Sequence, residues 1–195
     1  TIADQAASAL VKARLFQQSE QRARQLATLN DVSLTIASTL ELDPLLQKIV
    51  QSAVTILNCE AGSLFLVDTD TGENVFRVAV GPVGQNLVGM RIPAGRGVVG
   101  EVIDSGVPII INDAQNDSRI YKATDNATGF LTRAVMTVPM RFQGKAVGAL
   151  QLLNKRDGSP FDEEDQNLLI AFATPSVIAI ENARLFTQTD QALAS

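Results

Sequence analysis

Between two apolar runs, residues 109–111 (Ile-Ile-Ile) and 134–138 (Ala-Val-Met-Thr-Val), the chain carries a polar stretch, residues 112–132, with few aliphatics and many hydroxyls, amides and carboxylates. The flanking runs read as β-strands. A connection of that length inside a compact domain is uncommon and is as a rule functional or disordered. Tyr121, Phe130 and short helical signals make this one an ordered segment laid over a sheet. Such a segment suits the wall of a small-molecule pocket. Taken alone, it fits a water-facing surface connection slightly better.

What surrounds the stretch is long enough for one domain with a sizeable core and accessory helices, at 195 residues of which 46% are hydrophobic and 19% charged. No apolar run approaches the roughly 20 residues of a membrane span, and the first residues lack a signal-peptide pattern. A cytoplasmic location and no membrane partner are the expectation. The net charge of −5 disfavours a nucleic-acid surface. The absence of His excludes serine–histidine and cysteine–histidine nucleophile systems and removes the commonest zinc ligand, so no catalytic or metal site is expected. The single Cys59 precludes an internal disulfide and, with no basic cluster near it in sequence, reads as a small buried hydrophobe.

In chain order, residues 4–39 hold no Gly or Pro and form a long helix by propensity. Leu26, Leu29, Ser33, Ile36 and Leu40 make a narrow seam, imperfect upstream at Ser19 and Arg22, that suggests pairing with another helix. Asp43 as N-cap and Pro44 at the first helical position open the next helix, whose apolar face is Leu46, Ile49, Val50, Ala53, Val54 and Leu57. Strands follow at 63–68 and 75–80 around the turn 69–72, with a short extended piece at 90–93. Gly95-Arg96-Gly97-Val98-Val99-Gly100 opens a helix through about Asp104, which Ser105-Gly106 stops before a strand at 107–111. A glycine-rich turn at a helix start exposes N–H groups to an anion, although most such turns only allow a tight bend. Residues 134–142 and 146–153 form a hairpin around Gln143-Gly144-Lys145, and 154–160 a polar loop. The last helix spans about 162–190, with acids in its first turn and Pro175 inside it, where a kink or an unpaired carbonyl is expected.

Ala13-Arg14-Leu15-Phe16-Gln17-Gln18-Ser19 echoes Ala183-Arg184-Leu185-Phe186-Thr187-Gln188-Thr189. The economical reading is a segment of a tandem array, in which one helix finishes a domain and starts the next.

From about Leu40 to Phe186 the chain resembles a GAF domain. The resemblance is carried by residues 63–68 (Ser-Leu-Phe-Leu-Val-Asp), 92–100, 105–108 (Ser-Gly-Val-Pro), Asp113 with 117–119 (Asp-Ser-Arg), 144–148 (Gly-Lys-Ala-Val-Gly), and Asn154-Lys155 with Phe161 and Asp165. The last set is similar to the Asn-Lys…Phe…Asp-Glu signature of cyclic-nucleotide-binding members in phosphodiesterases and adenylyl cyclases. It implies an α+β fold, a central antiparallel six-stranded sheet with helices on both faces and long N- and C-terminal helices. The domain would occupy 41–188, after a signalling helix at 1–40. One face would carry the pocket and the other the terminal helices that dimerise.

By the resemblance, ligand contacts fall on Ser63, Val98, Val99, Tyr121, Asp125, Thr128, Thr132 and Gln151, and Lys155 and Asp165 form a structural salt bridge beside the pocket. Thr128 and Thr132, four apart, would share one face of a short helix and with nearby N–H groups hold a cyclic phosphate; helix capping or solvent exposure explains them equally well. Tyr121 would lie against a purine. Gln166 replaces the signature's Glu, and Val80 and Gln151 stand where acids read guanine in some cyclic-GMP binders. These departures weigh against cyclic GMP and leave cyclic AMP, another small ligand or none. A bilin needs a cysteine near the pocket, a haem an axial His, and methionine sulfoxide reduction several cysteines; the chain offers none of these. The expected function is a non-enzymatic sensor module of a bacterial-type signalling protein, such as one associated with a histidine kinase. It would be a homodimer through its terminal helices and linked covalently to an output domain. A dimerising spacer with a vestigial pocket is the alternative.

Overall fold

The structure, a computed structural model, describes residues 2–36, 42–82 and 84–193; the side chains of residues 2–4, 6, 26–36 and 186–193 lie outside that description. Six strands form one sheet in the order β3-β2-β1-β6-β5-β4. They are β1 (Cys59–Val67), β2 (Asn74–Val80), β3 (Arg91–Ile92), β4 (Ile109–Ile111), β5 (Val135–Phe142) and β6 (Lys145–Lys155). Every neighbouring pair is antiparallel. The chain is α+β, as the resemblance implies.

Side-chain alternation along the strands separates two cores. On one face Leu64, Val78, Met136, Val138, Leu150 and Leu152 join a cluster with α2 (Leu42–Ile56) and α5 (Glu163–Leu193). On the other, Phe65, Phe76, Val135 and Ala149 pack with α3 (Gly97–Ser105). The shift of register between Leu64 and Phe65 keeps both Val78 and Phe76 inward, on opposite faces.

α1 (Ile2–Ile36) packs against α5 and α2. The expected seam falls on Leu26, Leu29, Ser33 and Ile36, whose side chains are outside the described set, and on Leu40, which is outside it altogether. Upstream, Leu10, Val11, Leu15 and Phe16 are 58–72% exposed. α2 begins at Leu42, so Asp43 and Pro44 are its second and third residues rather than N-cap and first. Proline fits anywhere in the first turn, where N–H groups lack intrahelical acceptors. Asp43 instead accepts a hydrogen bond from Arg77 Nε at 2.8 Å.

α5 starts on a reciprocal cap. The Asp165 N–H donates to Asp162 Oδ1 at 2.9 Å and the Asp162 N–H to Asp165 Oδ2 at 3.1 Å. The helix continues through Pro175, which removes a bond to the carbonyl four residues back, while the Ser176 hydroxyl donates to the Phe172 carbonyl at 2.9 Å. Contrary to the expectation of no such run, Glu163–Leu185 is long and apolar enough to cross a membrane by length and composition. Leu169 and Phe172 within it are fully buried in the helix-face core, which makes it the central helix of a folded domain.

The β1–β6 contact leaves no room for a side chain at Gly148, where a Cβ would lie 2.0 Å from the Phe65 carbonyl oxygen and 2.6 Å from Met140 Cε. Gly148→Ala is expected to lower stability by about 1–3 kcal/mol through strand displacement, read as the midpoint of urea unfolding; an unchanged midpoint would contradict this packing.

Candidate functional site

The register that pairs Ser63 with Gln151 and Gln151 with Thr137 lays a polar row across β1, β6 and β5 on the face away from α2 and α5. Thr137 is fully buried and Ser63 4% exposed. The Gln151 amide donates to the Thr137 hydroxyl at 2.9 Å. Ser63 has no hydrogen-bonded side-chain partner among the described residues, so its hydroxyl is available to the space above it.

That space is a cavity of about 70 Å³ floored by Ser63, Phe65, Phe76, Val135, Gln151 and Leu153. Its walls are Leu87, Ile92 and the start of α3, Gly97, Val98 and Val99. Its roof is the polar stretch, through Ile120, Tyr121, Thr124, Asp125 and Thr132. A smaller lobe of about 30 Å³ shares Ser63, Leu87, Thr124, Asp125 and Leu153 and adds Val80, Thr128 and Phe130. The stretch is thus an ordered lid over the sheet. At its centre is α4 (Lys122–Thr128).

Seven of the eight expected contact residues meet at the main cavity: Ser63, Val98, Val99, Tyr121, Asp125, Thr132 and Gln151. Thr128 does not, and it shares no helical face with Thr132. Gly129, in the left-handed conformation (φ 71°), caps α4 and turns the chain away. The Thr128 hydroxyl is spent locally, donating to the Thr124 carbonyl at 2.9 Å and accepting the Phe130 N–H at 3.2 Å. Thr132, returning from the turn, meets Asp125. Its N–H donates to Oδ2 at 2.9 Å and its hydroxyl to Oδ1 at 2.8 Å. Gln115 Nε2 also donates to the Thr132 carbonyl at 2.7 Å. This carboxylate clasp, which sequence spacing alone does not reveal, closes the lid on itself.

The chemistry offered is binding chemistry. The N–H groups of Gly97, Val98 and Val99 lack intrahelical acceptors, and Arg96 gives α3 no side-chain cap. They form a donor set for a negative or carbonyl oxygen. Ser63 and Gln151 supply neutral polar contacts, and Phe65, Phe76 and Tyr121 flat apolar ones. Among the described residues, no group of three or more His, Cys, Asp or Glu is placed to hold a metal ion.

The Asn-Lys set lies outside the cavity, where β6 leads to α5. Asn154 and Lys155 belong to β6 rather than to a loop. The Asn154 carboxamide, 1% exposed, makes four hydrogen bonds. It accepts from the Arg133 and Ala134 N–H groups (2.8 and 3.0 Å) and donates to the Leu131 carbonyl and Glu60 Oε2 (both 2.9 Å). Arg133 first, with the Asn154 amide, holds the Glu60 carboxyl below its ordinary range. Lys155 Nζ lies 2.7 Å from Asp165 Oδ2, both side chains largely buried. Burial opposes the ammonium, but the bond to Asp165 and the charges of Asp162 and Asp157 outweigh it, and the Lys155 pKa is raised.

A lidded cavity thus occupies one face of the sheet, and α2 and α5 pack on the other. The chain belongs to the GAF domain family, whose pattern matches residues 41–180. It is 29% identical over 168 residues to the dual 3',5'-cyclic-AMP and -GMP phosphodiesterase 11 of Drosophila melanogaster, covering 79% of this chain and 12% of that protein. It is 28% identical over 154 residues to the probable 3',5'-cyclic phosphodiesterase pde-5 of Caenorhabditis elegans, covering 74% and 21%. The chain therefore spans only a small part of those relatives. The GAF domain of a phosphoenolpyruvate-protein phosphotransferase from Coxiella burnetii shares the fold at a TM-score of 0.75 and 23% identity, over 84% of this chain and 96% of that one. The free methionine-R-sulfoxide reductase of Neisseria meningitidis, in complex with its substrate, shares it at 0.69 and 23%, over 84% and 92%.

Cys59 sits in the helix-face core, fully buried and away from the cavity lining. Burial first, then the nearby Asp165 carboxylate, pushes its thiol from 9.0 up to about 12. A raised thiol pKa contributes stability below the ordinary value and loses it as pH rises through about 12. Iodoacetamide at pH 8 is expected to leave the native chain unlabelled and to label it fully in denaturant. Rapid native labelling would contradict the burial.

Proposed function

We propose that the chain is a regulatory sensor that binds a small molecule under the lid, with a cyclic nucleotide as first candidate. The signal would pass through its terminal helices, paired in a homodimer, to a covalently linked output domain in the cytoplasm. The observation that carries the proposal is the convergence of Ser63, Asp125, Thr132, Gln151 and the first residues of α3 on one space under the lid. Its relatives named as cyclic-nucleotide phosphodiesterases favour that ligand class. Cyclic AMP is put before cyclic GMP, because Val80 and Gln151 stand where acids read guanine in some cyclic-GMP binders, and the Asp125 carboxylate at the cavity is already bonded to Thr132.

Size sets the condition. At about 70 Å³ the cavity is far below the roughly 300–1,000 Å³ typical of ligand sites, so a nucleotide enters only if the lid moves. The same observation favours a second reading, a dimerising spacer whose pocket is filled by its own side chains.

Calorimetric titration of the chain with cyclic AMP and with cyclic GMP separates the two. The sensor reading expects saturable binding, weakened about threefold or more in Ser63→Ala, which removes a hydroxyl contact on the cavity floor without touching the clasp, and retained in Thr128→Ala. No heat with either nucleotide from folded protein would remove the cyclic-nucleotide assignment and leave the spacer or a sensor for another molecule.

A further inference from the structure

The lid has two roots, and both are fastened to the segment that leads into α5. At the C-terminal root, the Asn154 carboxamide holds the backbone of Leu131, Arg133 and Ala134. The next residue, Lys155, is paired with Asp165 in the first turn of α5. At the N-terminal root, Asn112 pairs with Phe161, forty-nine positions further along the chain. Its Oδ1 accepts the Phe161 N–H at 2.8 Å and its Nδ2 donates to the Phe161 carbonyl at 3.0 Å. A side-chain amide here does what a neighbouring strand would do, satisfying both backbone groups of one residue. The roots are also joined to each other, the Ala114 N–H donating to the Arg133 carbonyl at 2.8 Å.

Phe161 is the unusual member. Its backbone carries the lid root, which belongs to the cavity side of the sheet. Its side chain, 3% exposed, belongs to the buried cluster of the opposite face with Leu169 and Phe172 of α5. Immediately after it comes the Asp162–Asp165 cap, whose Asp165 also holds Lys155. A lid that swings about its roots therefore pulls on the residue that sets the start of α5. The Asp125–Thr132 clasp, by contrast, acts only within the lid and decides whether it is shut.

We propose that Asn112 is the coupling residue of this domain, a positioning residue whose two hydrogen bonds to Phe161 make the opening of the lid and the first turn of α5 one mechanical unit. The coupling belongs to the closed, ligand-free chain and stands or falls without any nucleotide, so a failure of the ligand assignment leaves it intact.

The test is a double-mutant cycle read by amide hydrogen exchange on the whole chain. Asp125→Ala opens the clasp. Asn112→Ala cuts the coupling, and Asn112→Asp, which keeps the acceptor for the Phe161 N–H and loses the donor, serves if the alanine variant does not fold. The readout is the exchange of the Asp165 and Gln166 amides, neither of which touches Asn112. Residues 149–152 of β6 monitor global unfolding. In the chain with Asn112 intact, Asp125→Ala is expected to speed exchange about tenfold both across 122–132 and at Asp165 and Gln166, with 149–152 unchanged. With Asn112 replaced, Asp125→Ala is expected to act on 122–132 as before and to lose most of its effect at Asp165 and Gln166, the Asn154–Lys155 root carrying the remainder. A merely structural Asn112 would raise exchange at Asp165 and Gln166 by the same factor whether or not the clasp is open. That additivity, or a failure of Asp165 and Gln166 to respond to Asp125→Ala at all, would overturn the proposal.

Discussion

The arrangement depends on a buried carboxamide. Asn154 adopts a left-handed backbone (φ 52°) near the end of β6 and is almost wholly shielded from water. Asn tolerates that backbone better than most residues, and a polar group so buried must have its hydrogen-bonding capacity met. It is met by three backbone groups of 131–134 and by Glu60. One side chain thereby fixes where the lid rejoins the sheet, and its neighbour Lys155 fixes where α5 begins. The ordering is local and electrostatic, while the two apolar cores on either face supply the bulk of the burial.

The cavity and its lid carry opposite tendencies. A sheet floor with an unpartnered Ser63 hydroxyl, and a helix start with open N–H groups, are set for polar occupancy. The lid above them is held shut by hydrogen bonds among its own members, Asp125 to Thr132 and Gln115 to Thr132. A ligand that contacts these groups competes with the clasp, so its differential affinity for the open form sets how far the population shifts. An occupant that leaves the clasp intact would have no means of moving the roots.

Much of this is legible in the sequence. Runs of β-branched and aliphatic residues locate the strands, the glycine turns locate the ends of α3 and the β5–β6 hairpin, and the family resemblance names seven residues that the fold gathers around one cavity. What is not legible depends on where the chain turns back. Thr128 and Thr132 have helical spacing, but Gly129 ends the helix between them, a stop that the Thr-Gly step signals only when read as a C-cap. The Asp125 clasp exists only because of that reversal. Asn112 and Phe161 are brought together by the sheet, and no local pattern marks the pair. Pro44 misplaces the start of α2 because proline is as acceptable inside the first turn as at its first position.

The central claim is that the lidded cavity is a ligand site whose occupation is felt at the first turn of α5. Amide NMR spectra of the chain, recorded with and without saturating cyclic AMP and cyclic GMP, address it directly. With at least one nucleotide, the account expects the resonances of Ser63 and Thr132 to shift in parallel with that of Asp165, which lies outside the cavity. Spectra unchanged by both nucleotides, or shifts confined to the cavity with Asp165 unmoved, would contradict it.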